Sequence, residues 1–410
     1  MATNDTFFFK FSLKSDPELI VINSYLPGVM DYFIQDSVFN YFPYAELHMK
    51  DDIGFIVEDK FFTENINMNI KLLDLDEKNN LNHNFYWSEF QMNNPVSPEL
   101  ITGVADIYLK SDFKKQDSVK SKAFFGNINT IVTQIMSRYS YPGLIPKMNI
   151  SPTANVDVWY QTRQYDFQFI KTLSRYAYSP TNQHSPFLTF INSKGEFYFQ
   201  DIKSLFTQSP VQNLYYGINE DQGILPENKS FREDVIQSYS IQFLGSPSNM
   251  ENYNGTYYKL NPDGSYSSSE ITLKDKFSPN RISQNKMSIR KQYLESTRAI
   301  KYYGIIDNQS QEQSYRGWVN NNFIDSVTFP YRMKISTLFN PKICAGKIIT
   351  TEFKSGYVEK DYKATEYNGS WLVLDSTHSI NKSGQAVSYF TLGKNSLDIN
   401  KKHKYYGDFI

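Results

Sequence analysis

At 410 residues the chain exceeds the ~250 at which a single hydrophobic core stops growing, so about two to four domains are expected. Forty-two basic residues against 43 acidic ones leave a formal net charge of -1, which excludes a long-range field that would gather nucleic acid or an anionic membrane. A single cysteine excludes an internal disulfide, and no run approaches the ~18 consecutive apolar residues of a membrane-spanning segment.

The opening MATNDTFFFKF has neither a basic leader nor the apolar run of ~7 to 15 residues of a signal peptide, so synthesis and assembly in a cytoplasm are expected. Thirty-one Phe and 31 Tyr residues favour strands and contact surfaces. Residues 1–113 read as hairpins in a β unit. In AELHMKDDIGFIVED, Leu47, Met49, Ile53, Phe55 and Val57 flank a turn at Asp51, Asp52, Ile53 and Gly54, INMNIKLLDL alternates again, and LITGVADIYLK closes the unit. The polar run SDFKKQDSVKSK then reads as a linker or exposed loop.

An α+β unit follows over 114–230. In GNINTIVTQIMSRYSYPG, Ile128, Ile131, Val132, Ile135, Met136 and Tyr139 recur at helical spacing, with Asn127 as cap and Pro142 as stop. A second helix is expected in YQTRQYDFQFIKTLSRYA, capped by Thr162 and presenting Tyr165, Phe169, Ile170, Leu173 and Tyr176 on one face, with Asp166 near its positive end. Its apolar face needs a cover. The next segment offers one: Phe187, Thr189 and Ile191 point one way, Leu188 and Phe190 the other, and Ser193, Lys194 and Gly195 turn into Phe197 and Phe199.

Strand patterns return in SYSIQFLG and in YYKLNPDGSYS with its Pro262, Asp263, Gly264 turn, and again in YRMKISTLF, KIITTEF and the hairpin GSWLVLDSTHSI to QAVSYFTLG. Residues 231–266 and 325–395 therefore form a second β unit, 267–324 an insertion module poor in apolar positions apart from Tyr302 to Ile306 and Trp318, and 396–410 an exposed tail. The fold class is mixed α+β, mostly antiparallel β.

Chemistry is sparse. His48, His83, His184, His378 and His403 lie far apart, with no metal-ligand spacing. The acidic run from Asp74 to Asn80 has Lys78 at a ligand position and Phe85 where a calcium loop closes with Glu. No phosphate loop, dinucleotide fingerprint or nucleophile elbow occurs. Cys344, within PKICAGKII, reads as a small buried side chain rather than a thiol nucleophile. No catalytic, cofactor-binding or metal-binding residue is expected, and no cofactor. A sugar cleft needs only two carboxylates and stacking aromatics, so a polysaccharide-binding or polysaccharide-degrading β protein stands as the alternative.

The order Tyr160, Gln161, Thr162, then Asp166, Phe167, Phe169, Ile170 and Leu173, then Phe187 to Phe190, Gly195, Phe197 and Phe199 resembles the Y-Q, D-x-x-F-L, hairpin signature of phage baseplate hub proteins. The flanking β units, with the ELHMKDDIG turn and the closing GSWLVLDSTHSI hairpin, resemble the two tail-tube-like domains of that family, which is related to the type VI secretion spike and the late-control tail proteins. Two departures stand out: Thr162 follows the Gln where an acidic residue is usual, and Tyr176, Ala177 and Tyr178 replace a post-helical Gly. The chain also lacks needle-like repeats before Ile410, so any needle is expected to be a separate protein.

The resemblance implies a structural virion protein, not an enzyme, at the baseplate of a contractile tail. Three chains with two tube-like β-barrel or sandwich domains each would form a homotrimeric, pseudo-sixfold ring. Its implied partners are the central spike protein, tail tube or tube-initiator proteins and baseplate wedge proteins, with DNA passing through the ring without specific binding. A peripheral receptor-binding or wedge component would share the virion setting without the two tube-like domains.

Overall fold

The computed structural model describes residues 11–16, 21–23, 29–51, 67–73, 80–93, 103–139, 147–182, 185–216, 234–243, 253–260, 265–273, 299–300, 313–314, 317, 321, 329, 331–353, 367–380 and 386–394. Antiparallel strands dominate, with short helices between them, as a mixed α+β class requires. No described helix is long and apolar enough to cross a membrane.

The first unit contains β1 (Phe11–Asp16), β2 (Val21–Asn23), β3 (Val29–Ser37), β4 (Tyr44–Asp51), β5 (Asn67–Leu73), β6 (Asn80–Asn93) and β7 (Gly103–Ser111). They pair antiparallel in the order β3-β4-β7-β6-β5-β1-β2. Period-two alternation decides the faces: Tyr32, Ile34, Ala45, Leu47, Ile107 and Leu109 are buried, while Glu46 and His48 face the other way. β4 ends at the expected turn, whose remaining residues, with Ile53, Phe55 and Val57, lie outside the described residues. So do Asp74 to Lys78.

The run read as a linker is structured. It holds α1 (Asp112–Gln116) and the start of β8 (Val119–Asn127). Phe113, its one large apolar residue, sits fully in the middle core beside Phe167, and that single anchor outweighs the polar composition around it. Next come α2 (Ile128–Met136), a 3-10 turn (Ser137–Tyr139), β9 (Met148–Ile150), β10 (Val156–Tyr165), α3 (Asp166–Tyr176), β11 (Phe187–Ile191), β12 (Phe197–Asp201) and α4 (Ile202–Phe206).

All six apolar positions expected on α2 and its 3-10 extension are buried. Asn127 does precede the helix but makes no side-chain cap bond; Thr153 Oγ1 accepts from the Asn129 N–H at 3.0 Å instead. Pro142 lies outside the described residues. The second helix begins later than its periodicity suggested, because β10 runs to Tyr165 and pairs with β8. Thr162 therefore lies in a strand and caps nothing, and Tyr165 is exposed rather than on the buried face. The cap comes from outside the segment: the Asp117 carboxylate accepts from the N–H groups of Asp166 at 2.7 Å and Phe167 at 3.4 Å. Phe169, Ile170 and Leu173 do form the buried face. We expect Phe169→Ala or Leu173→Ala to destabilise the chain by about 2 to 5 kcal/mol in chemical denaturation, since each side chain is enclosed on all sides.

The β11–β12 hairpin separates two cores as its alternation requires. Phe187, Ile191, Phe197 and Phe199 pack against the helices, while Leu188, Phe190 and Tyr198 enter another cluster on the opposite face. Gly195 turns between them at φ 74°.

The last unit contains β13 (Gln212–Tyr216), β14 (Ile236–Phe243), β15 (Tyr253–Leu260), β16 (Tyr266–Leu273), β17 (Ala299–Ile300), β18 (Tyr331–Leu338), β19 (Ile348–Phe353), β20 (Gly369–Ile380) and β21 (Ala386–Lys394). Six of these follow the path β14-β18-β21-β20-β19-β13, antiparallel except for β13 with β19. The path curls back until one bridge, Tyr215 with Val235, and one bond, Tyr215 N–H to Asp234 O at 2.8 Å, link its ends. No full ladder closes it among the described residues. Its inside is nonetheless one core drawn from all six strands, with Leu214, Ile236, Met333, Ile349, Trp371 and Leu392 among its members.

β15 pairs with β16 on one side and with β17 on the other in a separate sheet, apart from the strands just described. The turn at 262–264 and most of 267–324 lie outside the described residues, as does the tail from 396.

Candidate functional site: the junction of three units

The first and last units share one 13-stranded sheet. β20 makes this possible by changing partners along its length: Gly369 to Leu372 pair with β19, whereas Asp375 to Ile380 pair with β3. The change falls at a bulge between Val373 and Asp375 in its ladder with β21, where an extra residue redirects the strand. The Val38 N–H donates to Leu374 O at 2.8 Å and the Gly346 N–H to Val373 O at 2.9 Å, so the freed backbone groups at the bulge are taken up by both neighbours.

The middle unit plugs into the same point. Val38 from the first unit, Leu188, Phe190 and Tyr198 from the β11–β12 hairpin, and Leu372 and Leu374 from the last unit form a single apolar cluster. Gly346, at φ +83°, presses against the Phe190 ring so closely that an added Cβ would lie 2.8 Å from Cε2. Phe190 stacks on Tyr198 with centroids 4.7 Å apart.

At the centre lies Asp36, which is 1% exposed. Oδ2 accepts from the Ser193 N–H at 2.6 Å, and Oδ1 from the Ala345 N–H at 3.2 Å and from the Ser376 hydroxyl. One carboxylate thus holds a strand of the first unit, the hairpin turn of the middle unit and two segments of the last. Burial pushes its pKa above the usual carboxylate value, and the three donors work against that rise. Beside it, Glu196 pairs with Lys347 at 2.6 Å and accepts from the Tyr198 hydroxyl at 2.7 Å. Burial opposes ionisation of Glu196, yet those partners hold its pKa below the ordinary value.

Cys344 lies in this junction, accepting from the Asn192 side chain at 3.3 Å. Burial pushes its thiol up to about 12, the opposite of an activated nucleophile. His378 is buried with Nδ1 at 2.8 Å from Ser388 Oγ and Nε2 at 3.1 Å from Ile343 O, and burial lowers its pKa to about 3. His83 stands on β6 and is likewise lowered to about 3 by burial, while His48 stands on β4 at 2.5 Å from Asp106. The structure keeps these three apart, and His184 and His403 lie outside the described residues. Among the described residues no three His, Cys, Asp or Glu side chains are grouped to hold a metal ion.

A second buried carboxylate fixes the middle unit internally. Asp166 receives Arg138 at 3.0 Å, Lys120 at 3.1 Å, Tyr139 at 3.0 Å and Gln161 at 2.8 Å. The segment read as an insertion also reaches this unit: Asn321 accepts from the Phe187 N–H at 2.5 Å and donates to Ala177 O at 3.2 Å, and Ser314 accepts from Asn155 at 3.1 Å.

Over nearly its whole length the fold is similar to two solved structures. One is a tail protein from Neisseria meningitidis MC58, with a TM-score of 0.53 at 6% identity over 94% of this chain and 96% of that one. The other is the 43 kDa tail protein of prophage MuSo2 from Shewanella oneidensis, with a TM-score of 0.54 at 9% identity over 95% of this chain and 99% of that one. The chain shares the fold of these tail proteins. No protein-family model and no curated protein matches its sequence. The hub-like order of elements from Tyr160 to Phe199 and the tail-protein fold therefore point the same way, although so little sequence is shared.

Sequence reasoning passed over Asp36. The available signal was parity: Tyr32, Ile34 and Asp36 lie on one face of β3, so a carboxylate on a buried stripe marked a paired or bonded position.

Proposed function

We propose that the chain is a structural component of a phage tail, serving as the baseplate hub in a homotrimer whose two β units per chain approximate a sixfold ring between the tail tube and the central spike. The observation that carries this reading is the end-to-end likeness to two tail proteins, which leaves little of either chain unmatched. The joined sheet supports it, because force passed along a tail needs units that move as one body, and β20 with the Asp36 bonds ties three of them. In this reading no residue is catalytic; the chain acts in the virion at the baseplate of a contractile tail, and is assembled in the host cytoplasm. Spike, tube or tube-initiator and wedge proteins are its partners, and DNA passes without specific contacts.

Light scattering on the purified full chain tests this. A mass three times that of one chain is expected at micromolar concentration. A stable monomer that binds polysaccharide would instead favour a glycan-directed tail protein.

A further inference from the structure

One polar cluster at the junction holds more chemistry than a tie between units needs. Asn192 follows β11, Lys347 precedes β19, and both side chains reach the same oxygen of Glu196. Lys347 Nζ lies 2.6 Å from Glu196 Oε2, and Asn192 Nδ2 donates to that atom at 3.0 Å. An amine, a carboxamide and a carboxylate are thus gathered at one point.

The carboxamide is fully buried, and its bonds fix which end is which. Nδ2 donates to Glu196 and, at 3.3 Å, to Cys344 Sγ. Oδ1 accepts from the N–H groups of Lys194 at 3.1 Å and Glu196 at 3.0 Å. Two backbone donors on one carbonyl oxygen stabilise the negative charge that develops there when a nucleophile adds to the carbon. An Asn-led turn accounts for those two bonds by itself. It does not account for a lysine brought from 151 positions beyond Glu196 onto the acceptor of the amide nitrogen.

Lys347 is the nucleophile of the cluster. Its side chain is 12% exposed, and its ammonium lies over the Tyr198 ring, 5.7 Å from the centroid. A lysine amine attacks only after losing a proton, and the Glu196 carboxylate is in place to take it. Backbone bonds hold both sides: Asn192 N–H to Glu196 O at 3.1 Å across the hairpin turn, and Val373 N–H to Lys347 O at 2.9 Å in the last unit. Groups fixed side by side in this way react at effective concentrations far above those reached in solution.

We propose that Lys347 and Asn192 join in an intramolecular isopeptide bond that the chain forms by itself, with Glu196 as general base and then general acid. Glu196 takes one proton from the Lys347 ammonium. The freed Nζ lone pair forms a bond to Asn192 Cγ, and the C=O pair moves onto Oδ1 beneath the Lys194 and Glu196 N–H groups. Nζ then releases a second proton, the Oδ1 pair returns, and the Cγ–Nδ2 bond breaks with its electrons on nitrogen. Both protons pass through Glu196 to that nitrogen, which leaves as ammonium; Glu196 is again a carboxylate, and nothing is oxidised or reduced. The reaction happens once per chain, a self-modification rather than turnover, and needs no second copy. It ties the middle unit's hairpin turn covalently to the last unit.

Mass spectrometry of the purified full chain under denaturing conditions tests this. Wild type is expected about 17 Da below its sequence mass, the weight of the ammonia lost on acyl transfer to the lysine. Digestion is expected to yield one branched peptide joining the Asn192 and Lys347 segments. Lys347→Arg, which keeps a positive charge facing Glu196, and Glu196→Gln are each expected at full sequence mass with the circular dichroism of wild type. Folded wild type at full sequence mass overturns the proposal, whatever the variants do. So does a mass loss that survives in Lys347→Arg, because it marks closure of Asn192 on its own backbone. A Glu196→Gln chain that still forms the branched peptide overturns the assignment of Glu196 as the base.

Discussion

Replacing Asp166 with alanine is expected to destabilise the protein by about 3 to 5 kcal/mol, the cost of breaking a buried ion pair and leaving its partners uncompensated. The side chain has no solvent exposure, and Arg138, Lys120, Tyr139 and Gln161 all converge on it. Arg138 and Lys120 keep partial access to water and recover some hydration, whereas Tyr139 is buried and keeps only its 3.1 Å bond to Asp117. Burial by itself would raise the pKa of Asp166, but Gln161, Lys120 and Tyr139 as donors and the charge of Arg138 outweigh it and hold the group below its ordinary value of 3.8. A depressed carboxyl stabilises fully above its unfolded pKa and loses that contribution as pH falls through the folded one. The gap in melting temperature between wild type and Asp166→Ala should therefore be widest near neutrality and shrink in acid below about pH 4. A gap that stays constant into strong acid would show that the carboxylate charge is not what holds this network.

Asp36→Ala is expected to cost about 3 kcal/mol, for a different reason and with the opposite response to acid. The substitution leaves the Ser193 and Ala345 N–H groups and the Ser376 hydroxyl without their acceptor inside a buried junction. Relief of a buried charge offsets part of the loss. Because burial raises the pKa of Asp36, the folded state takes up a proton more readily than the unfolded chain, and this group adds stability as pH falls through its folded value. The gap between wild type and Asp36→Ala should then widen on mild acidification, where the Asp166 gap has yet to shrink. Thermal melts from neutral to mildly acid pH measure this, and a narrowing gap would contradict the account of Asp36 as a charge held against burial.

Much of the architecture was legible because local patterns and tertiary packing agree there. The α2 periodicity from Ile128 to Tyr139 and the two-sided β11–β12 hairpin each had one arrangement that buries their apolar residues, and the chain adopts it. Failures came where a distant partner decides. Thr162 looked like a cap because helix periodicity extends upstream, but β8 captured residues 156–165 as a strand and Asp117, 49 positions before Asp166, supplied the cap. A polar run hid Phe113, whose value lies in a core assembled from other segments. The junction itself was the least visible. Nothing in GSWLVLDSTHSI announces that its first third belongs to one set of strands and its second half to another, since a partner change is a property of β3, β19 and the bulge together. The polar ties from Ser314 and Asn321 lie in a stretch whose composition suggested only an insertion.

The central claim is that one chain carries two β units joined through β20 and that three chains set those units around a common axis. Electron microscopy of the purified assembly viewed along that axis tests it most directly. The account predicts a threefold ring in which six β units alternate at nearly equal spacing. A particle without threefold symmetry, or a threefold ring to which each chain presents only one β unit, would contradict it.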